Sequence, residues 1–340
     1  MTKILILKND RVGDLFTSLK LISTLIRDSS KTKIYLSELN YQFNFLFKKI
    51  QTKIINFNLS TIDKLNLIID IMINRYDKIY ILTPKSFYFF LPFFFKNIKF
   101  YAIVYNGKNR KRPNSFLRKF IYKYEIVKRN EINNFSYREL QEKLLDKNVI
   151  LDSKYSNLEI PQINQNFLKL IPEKFIFFQF RYKFFKDLNW GIDEFKKIIN
   201  FLNEKYENVL FCSDVEINST TKFYNKFFED NYSIIDFNNN HKSKKINNDK
   251  IFYLKNLTGL DMFFTVKKSS ITLAKEGIIS HISFFHNVKC HNLFNFKLKN
   301  REDTKHEKIS YSEWCKGMNF NFSFLNKDVQ KAIKKINNQI

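Results

Sequence analysis

Residues 4–15 read ILILKNDRVGDL. The first four residues form a continuous apolar run, which is typical of a strand buried on both faces of a parallel sheet. A polar stretch follows, and leucine and isoleucine side chains then recur at helical spacing between Leu15 and Ile26. The stretch therefore predicts a strand, a loop and a helix, which is the opening unit of an α/β fold.

The same alternation continues along the first half of the chain and restarts in the second half. Residues 33–36 and 79–82 read as further strands of the first half, and residues 174–180 begin the second half with another strand. Residues 152–165 are polar and without a clear period, which predicts a linker. We therefore expect an α/β fold with two Rossmann-like domains facing a cleft, formed by residues 1–155 and 166–325, and a final helix within 326–340 that packs back towards the first domain.

The charge balance is strongly basic, with 58 Lys and Arg residues against 33 Asp and Glu residues and a net charge of +25. Such a surplus attracts nucleic acid, anionic membranes or phosphorylated substrates, although a lysine-rich solvated surface gives the same number. The sequence has no dense basic arm, zinc-finger spacing or RNA-recognition signature, so nucleic acid is the weaker expectation.

Cysteine usage and hydrophobic runs favour a cytoplasmic location. Cys212, Cys290 and Cys315 are far apart and form no CxxC pair, as expected in a reducing compartment. The opening MTKILIL is too short for a signal-peptide core. The most apolar stretch, residues 87–95, contains Pro92 and is about half as long as a membrane span.

The loop after the first predicted strand contains Gly13 and Asp14. Loops at the carboxyl ends of parallel strands carry the sites of such folds. Gly13 lets the backbone turn sharply or approach a ligand, and Asp14 falls at or near a helix N-terminus, where it can also act as a cap. The GxGxxG dinucleotide fingerprint is absent.

The order Lys-Asn-Asp-Arg-Val-Gly-Asp-Leu after an apolar strand resembles the opening of the family 9 glycosyltransferases, the heptosyltransferases of lipopolysaccharide assembly, which have the GT-B fold. In that family the Asp directly after the Gly is the proposed general base, and the resemblance gives this role to Asp14. Asp10, Arg11 and Gly13 match the same loop, on the side of the acceptor.

Residues 178–195 resemble the family's strand, polar loop, Lys, Trp and helix. The loop Lys of the family contacts the donor diphosphate, a role that falls on Lys186. The spacing to Trp190 is longer than in the family, so Lys183 or Arg181 are alternatives.

Residues 271–282 resemble the family's Gly turn followed by a helix that contains a His. Gly277 permits the turn, and the free N–H groups of the next helix can bind a diphosphate together with Ser280 and His281. Lys275 and Glu276 replace the family's usual residues, which suggests a donor other than ADP-heptose. Three further donor contacts rest on weaker matches along 209–216 and 254–261: Glu216, Leu257 and Thr258.

The sequence thus predicts an inverting glycosyltransferase that needs no metal or other cofactor. It moves heptose or a similar sugar from a nucleotide-diphosphate donor to a glycan or lipid-linked acceptor. Residues 87–95 are expected either to form a buried helix or to make peripheral contact with an anionic membrane. His281, His286 and His291 are five residues apart and spread around a helix, which argues against a shared metal. The alternatives are a nucleotide-sugar epimerase on the same scaffold and a non-catalytic basic protein that binds nucleic acid or anionic membrane.

Overall fold

The computed structural model describes residues 2–29, 31–105, 113–127, 136–214, 218–243, 249–295, 317–318 and 320–339. The chain forms two compact units, and the boundary between them lies at Pro161 and Gln162. This boundary falls inside the polar stretch 152–165 that the sequence marks as a linker. Each unit contains its own sheet and is described by itself.

The first unit is built on a six-stranded parallel sheet with the order β3-β2-β1-β4-β5-β6. The strands are β1 Lys3–Lys8, β2 Lys31–Ser37, β3 Gln51–Ile55, β4 Lys78–Ile81, β5 Lys99–Tyr105 and β6 Lys123–Val127. The helices are α1 Val12–Thr17, α2 Leu19–Arg27, α3 Thr61–Asn74, α4 Leu91–Phe94, α5 Ser115–Arg118 and α6 Tyr137–Glu142. Two 3-10 helices lie at Tyr41–Phe47 and Ser86–Phe90.

One face of this sheet forms a core with α3 and with the segment that leads into α4. Alternate strand residues, such as Leu5, Ile79 and Phe100, point into this core because side chains alternate across a strand. Leu67 of α3 and Phe89 of the 3-10 helix meet them there. The two crossover segments therefore lie side by side on the same face of the sheet.

The second unit has an eight-stranded sheet with the order β10-β9-β11-β8-β7-β12-β13-β14, parallel apart from the β9–β10 pair. Its strands are β7 Ile176–Gln179, β8 Val209–Cys212, β9 Ser233–Asp236, β10 His241–Ser243, β11 Ile251–Lys255, β12 Ile271–Lys275, β13 Cys290–Asn295 and β14 Asn321–Leu325. Its helices are α7 Gln165–Leu170, α8 Tyr182–Asp187, α9 Ile192–Lys205, α10 Ser219–Asn231, α11 Gly259–Lys268, α12 Ile278–His286 and α13 Val329–Asn337.

One detail of the second unit differs from a sequence-based expectation. Residues 238–249 are expected to be a solvated loop, but His241–Ser243 pairs antiparallel with β9, because a tight turn at 237–240 brings the chain back along that strand. The buried face of the final helix, α13, lies in the core of the second unit, where its apolar residues Val329, Ala332 and Ile336 provide the contact. The packing of this helix towards the first domain stays a prediction.

The strand orders define where ligands bind in each unit. In the first sheet the chain leaves β1 towards β2 and later returns to β4 on the other side of β1. In the second sheet it leaves β7 towards β8 and later returns to β12. Open parallel sheets bind ligands at such reversals, outside the carboxyl ends of the strands. Ligands are therefore expected at the loops after β1 and β4 in the first unit, and at the loops after β7 and β12 in the second.

Candidate active site

A buried ion pair supports the loop after β1. The Lys8 side chain is fully buried, and its Nζ lies 2.8 Å from Oδ2 of Asp10. The same Nζ lies 5.7 Å from the centre of the Tyr137 ring, so the cation also faces an aromatic surface. Asp10 is 7% exposed. The structure thus gives Asp10 a partner inside the protein and leaves little of its surface for an acceptor.

Side-chain hydrogen bonds fix the rest of this loop. Asn9 is buried, its Oδ1 accepts a bond from the Tyr88 hydroxyl at 2.8 Å, and its Nδ2 donates to the backbone oxygen of Asn56 at 3.0 Å. The hydroxyl of Ser37 donates to the backbone oxygen of Asp10 at 2.6 Å. Bonds from three different segments therefore hold the backbone between β1 and α1 in one conformation.

The motif residues Arg11, Gly13 and Asp14 lie at the start of α1. Arg11 is exposed at the N-cap position. Gly13 is the second residue of α1, inside a right-handed helix, so the sharp turn expected of it does not occur. Asp14 is the third residue of the helix and is half-buried. A carboxylate in the first turn interacts favourably with the helix N–H groups and dipole.

Tyr137 of α6 joins the ends of the two central strands. Its hydroxyl donates to the backbone oxygen of Leu82, directly after β4, at 2.9 Å. Burial, and then the neighbouring Tyr105, Asp10 and Asp14, raise the pKa of Tyr137 well above its ordinary value. The phenol therefore stays protonated, and both carboxylates of the motif act on the same buried ring.

In the second unit, Arg181 already has an anionic partner. Its Nε lies 2.6 Å from Oδ1 of Asp214, which follows β8. The other carboxylate oxygen of Asp214 accepts the backbone N–H of Tyr182 at 2.7 Å. Asp214 thus occupies the beginning of α8 and supplies an anionic partner to its first N–H group. A donor contact through Arg181 would have to compete with this carboxylate.

Three lysines lie on or beside α8. Lys183 and Lys186 are exposed on the helix, and Nζ of Lys186 lies 6.0 Å from the Tyr182 ring. Lys275, at the end of β12, reaches within 5.8 Å of the Phe184 ring. The pairing of β12 with β7 brings Lys275 to this helix, and the sequence motif alone does not reveal it.

Trp190, which marks the motif, has a structural role. The side chain is 4% exposed, and its indole N–H donates to the backbone oxygen of Lys327 at 2.9 Å. The aromatic ring therefore helps to close the core of the second unit and presents almost no surface to a ligand.

The turn at Gly277 has the backbone geometry that the motif predicts. Gly277 has φ 157° and ψ −150°, a conformation open almost only to glycine. It is the N-cap residue of α12, and within the described residues no side chain caps the helix at this point. The buried His281 lies in the first turn and donates its backbone N–H to the Gly277 oxygen at 3.2 Å. Glu276, half-buried, precedes the turn.

The remaining predicted donor contacts divide between internal roles and positions that the structure leaves undescribed. Ser280 is buried, and its hydroxyl donates to Oδ1 of Asn292 on β13. Thr258 is the N-cap residue of α11, where it forms a capping box with Asp261, and Leu257 precedes it half-buried. Glu216 lies outside the described residues.

Neither thiol that the structure describes is suited to nucleophilic chemistry. Burial raises the pKa of Cys212 to about 12 and that of Cys290 to about 11, so both remain protonated at neutral pH. Cys315 lies outside the described residues. Among the described side chains, no group of three or more His, Cys, Asp or Glu residues is arranged to hold a metal ion.

Solved structures with similar folds cover the whole chain. The family 9 glycosyltransferase of Veillonella parvula superposes with a TM-score of 0.65 at 11% identity, covering 100% of this chain and 90% of that one. E. coli heptosyltransferase WaaC with ADP gives 0.62 at 10% identity and covers 100% of both chains. The UDP-GlcNAc 2-epimerase of Methanocaldococcus jannaschii gives 0.57 at 14% identity, covering 99% of this chain and 92% of that one.

These superpositions establish the fold, which is the GT-B fold that such transferases and epimerases share, and they confirm the predicted fold class. No protein-family model matches the chain. One curated protein, the RNA polymerase subunit beta′ of Oedogonium cardiacum, is 32% identical over 156 residues. That match covers 41% of this chain and 8% of the polymerase subunit, and it carries no argument about function.

Proposed function

We propose that the chain is an inverting glycosyltransferase that moves a sugar from a nucleoside-diphosphate donor to a glycan or lipid-linked acceptor without a metal ion. The observation that carries this proposal is the position of the two motif regions in a GT-B fold. Asp14 follows the central strand β1 of the first sheet, and the Gly277 turn follows β12, beside the central strand β7 of the second. Both are positions where parallel sheets bind ligands.

Asp14 is the general base in this proposal. The acceptor hydroxyl must lose its proton as its oxygen attacks the anomeric carbon, and a carboxylate within hydrogen-bond reach can accept that proton. Asp14 suits the role better than Asp10, because Asp10 is nearly buried and paired with Lys8, whereas Asp14 is half-exposed. The rigid loop before α1 supports it by holding the start of the helix in place.

The donor diphosphate binds at the Gly277 turn in this proposal. The N–H groups that open α12 and the positive end of its dipole stabilise the charge that develops on the departing diphosphate. Lys186, on α8, and Lys275, which lies against the same helix, add positive charge. Attack assisted by Asp14 on one side of the sugar, with the diphosphate leaving on the other, gives inversion at the anomeric carbon.

The donor in this proposal is a nucleotide sugar. The name of a further similar structure, E. coli ADP-heptose lipopolysaccharide heptosyltransferase II, supports a nucleotide-sugar donor with heptose or a related sugar, and a role in lipopolysaccharide biosynthesis. Glu276 next to the Gly277 turn would repel a phosphate, so we assign it to a hydroxyl of the donor ribose or sugar. A cytoplasmic location at the inner face of the membrane remains a prediction.

A binding screen followed by a transfer assay tests the proposal. We expect nucleoside diphosphates and their sugars, added one at a time, to raise the melting temperature of the protein, because a ligand that binds the native state stabilises it. The donor that binds is then incubated with candidate acceptors, and mass spectrometry detects the glycosylated product. Absence of any shift across ADP, UDP, GDP and CDP derivatives contradicts the donor assignment.

The similarity to UDP-GlcNAc 2-epimerase favours one alternative, an epimerase on the same fold. An epimerase converts a nucleotide sugar with no second substrate present. Incubation of the bound donor alone, followed by NMR of the sugar protons, separates the two activities. Appearance of the epimer without acceptor supports the alternative, and an unchanged donor that reacts only with acceptor supports transfer.

A further inference from the structure

Helix α3 is apolar on the side that faces away from the protein. Ile62, Leu65, Ile69, Met72 and Ile73 are 51–73% exposed. At about 100° per residue, these five side chains lie opposite Leu67 and Ile71, which pack into the core. A helix that is hydrophobic on both sides is normally buried on both sides. The outer side of α3 has the composition of a buried surface but is exposed to solvent.

A second exposed apolar cluster surrounds α4 and α5. Phe90, Phe93 and Phe94 are 37–69% exposed, and Phe116 of α5 is 53% exposed. The rings of Phe93 and Phe116 lie 5.9 Å apart, so the two helices form one cluster. Tyr122, also exposed, follows it along the chain. Some of the residues 87–95 are thus buried and others are exposed. The segment is neither a fully buried helix nor a fully exposed membrane contact.

These two features belong to one side of the first unit. Leu67 and Ile71 of α3 and the residues Tyr88, Phe89 and Leu91 next to α4 pack into the same core, on the same face of the sheet. The side chain of Lys64 on α3 also lies 5.9 Å from the ring of Phe87. The outward side chains of α3, α4 and α5, together with Tyr122, are therefore called the outer apolar face.

The charges around the outer apolar face are predominantly positive. Residues 86–105 and 113–124 contain no Asp or Glu, and their basic residues are Lys96, Lys99, Arg118, Lys119 and Lys123. The two acids of α3 are engaged: Asp63 forms a capping box with Ser60, and the buried Asp70 pairs with Lys33 at 2.5 Å. Lys96 and Lys99 lie over exposed aromatic rings, at 5.9 Å from Phe93 and 4.9 Å from Tyr122.

We propose that the outer apolar face binds peripherally to an anionic lipid bilayer. Aromatic and aliphatic side chains beside lysines fit the interface between acyl chains and headgroups, where a lysine can reach the phosphates while its stem stays apolar. The net charge of +25 attracts anionic lipid and opposes association with a second copy of this chain. Among the helices that the structure describes, none is long and apolar enough to cross a bilayer. This contact does not depend on the proposed transferase activity.

Vesicle co-sedimentation of the full chain tests the proposal. We expect the protein to sediment with phosphatidylcholine vesicles that contain phosphatidylglycerol, and less with phosphatidylcholine alone. Ile69→Glu in α3 and Phe94→Glu in α4 should each lower the partition coefficient by about tenfold or more, because each replaces an apolar contact with a charge. Asn200→Glu, at an exposed position of α9 in the second unit, adds the same charge and should change binding little.

Circular dichroism and thermal melting of each variant separate lost binding from lost folding, and both apolar positions are exposed enough to accept Glu. Failure of the folded wild-type protein to bind anionic vesicles overturns the proposal. So does equal binding by Ile69→Glu, Phe94→Glu and Asn200→Glu. A wild-type dimer in analytical ultracentrifugation that Ile69→Glu converts to a monomer, with no vesicle binding, would instead assign the face to a second copy.

Discussion

The loop after β1 and the turn after β12 both lie at the strand-order reversal of their own sheets, but they are held by different means. The loop after β1 is fixed by side chains, through the Lys8–Asp10 pair and the bonds of Asn9. The turn after β12 is fixed by its backbone, through the Gly277 conformation and the start of α12. A site that positions a carboxylate needs a rigid support for one side chain, whereas a site for a diphosphate needs open N–H groups.

The two regions should therefore respond to mutation in different ways. Side-chain substitutions near β1 change either the chemistry of Asp14 or the stability of its support. Near β12, the substitution that matters first is the one that adds a Cβ to the backbone at Gly277.

Asp14→Asn should lower the rate of sugar transfer by a factor of about 10² to 10⁴, which is typical for the loss of a general base. Donor affinity and melting temperature should stay close to wild type, because the amide has the same shape. The measurement is product formation under saturating donor. Asp193→Asn removes a carboxylate from the first turn of α9 and controls for the helix dipole. A wild-type rate for Asp14→Asn would reduce Asp14 to a first-turn charge.

Lys8→Met should destabilise the protein by about 3–5 kcal/mol, because it leaves the carboxylate of Asp10 buried without its partner. The measurement is the free energy of unfolding in urea. Lys78→Met breaks the partly exposed pair with Asp146 and should cost about 0.2–1 kcal/mol. Equal losses for the two variants would show that the loop after β1 does not depend on its buried pair.

Gly277→Ala should destabilise the protein by about 1–3 kcal/mol, since a Cβ is strained at φ 157° and ψ −150°. Gly13→Ala, inside α1, should instead be neutral or stabilise by about 0.4–1 kcal/mol, because alanine adopts helical backbone readily. Urea denaturation of both variants measures the difference. An unchanged free energy of unfolding for Gly277→Ala would mean that the turn can change conformation, and the backbone of the site would then not be fixed.

Lys186→Ala should weaken binding of the nucleoside diphosphate by about tenfold, since a charged hydrogen bond contributes roughly 1.5–3 kcal/mol. Lys275→Ala should have an effect of similar size, because Lys275 lies against the same helix. Isothermal titration calorimetry measures both. Lys183→Ala, also exposed on α8, serves as the matched control. A larger loss for Lys183 than for Lys186 would exchange their roles.

The sequence predicts the fold because its strands are continuous apolar runs. The run 4–7 lies within the central strand of the first sheet, and the strand predicted at 174–180 contains β7, the central strand of the second. The Gly277 turn is also predictable, since a glycine between a strand and a helix can adopt backbone conformations that other residues rarely adopt. The role of Asp14 as a base stays a prediction.

Contacts between segments that are distant in the chain cannot be predicted from the sequence motifs. Asp214 meets Arg181 and the start of α8 only because β7 and β8 are neighbours, so the motif shows a free cation where the structure has an ion pair. The exposure of the outer side of helix α3 is not predicted for another reason. Its apolar residues lie on both sides, a pattern typical of a buried helix, and only the structure shows that the outer side is exposed.

During synthesis, α13 leaves the ribosome after every other helix that the structure describes. The six strands of the first sheet lie within residues 3–127, so this sheet can assemble while the second half is still being made. The second unit has to wait, because α13 contributes Val329, Ala332 and Ile336 to its core, and Trp190 bonds to Lys327. The core between α9 and β14 therefore stays incomplete until residues 329–336 have been made, so the second unit completes its folding later than the first sheet.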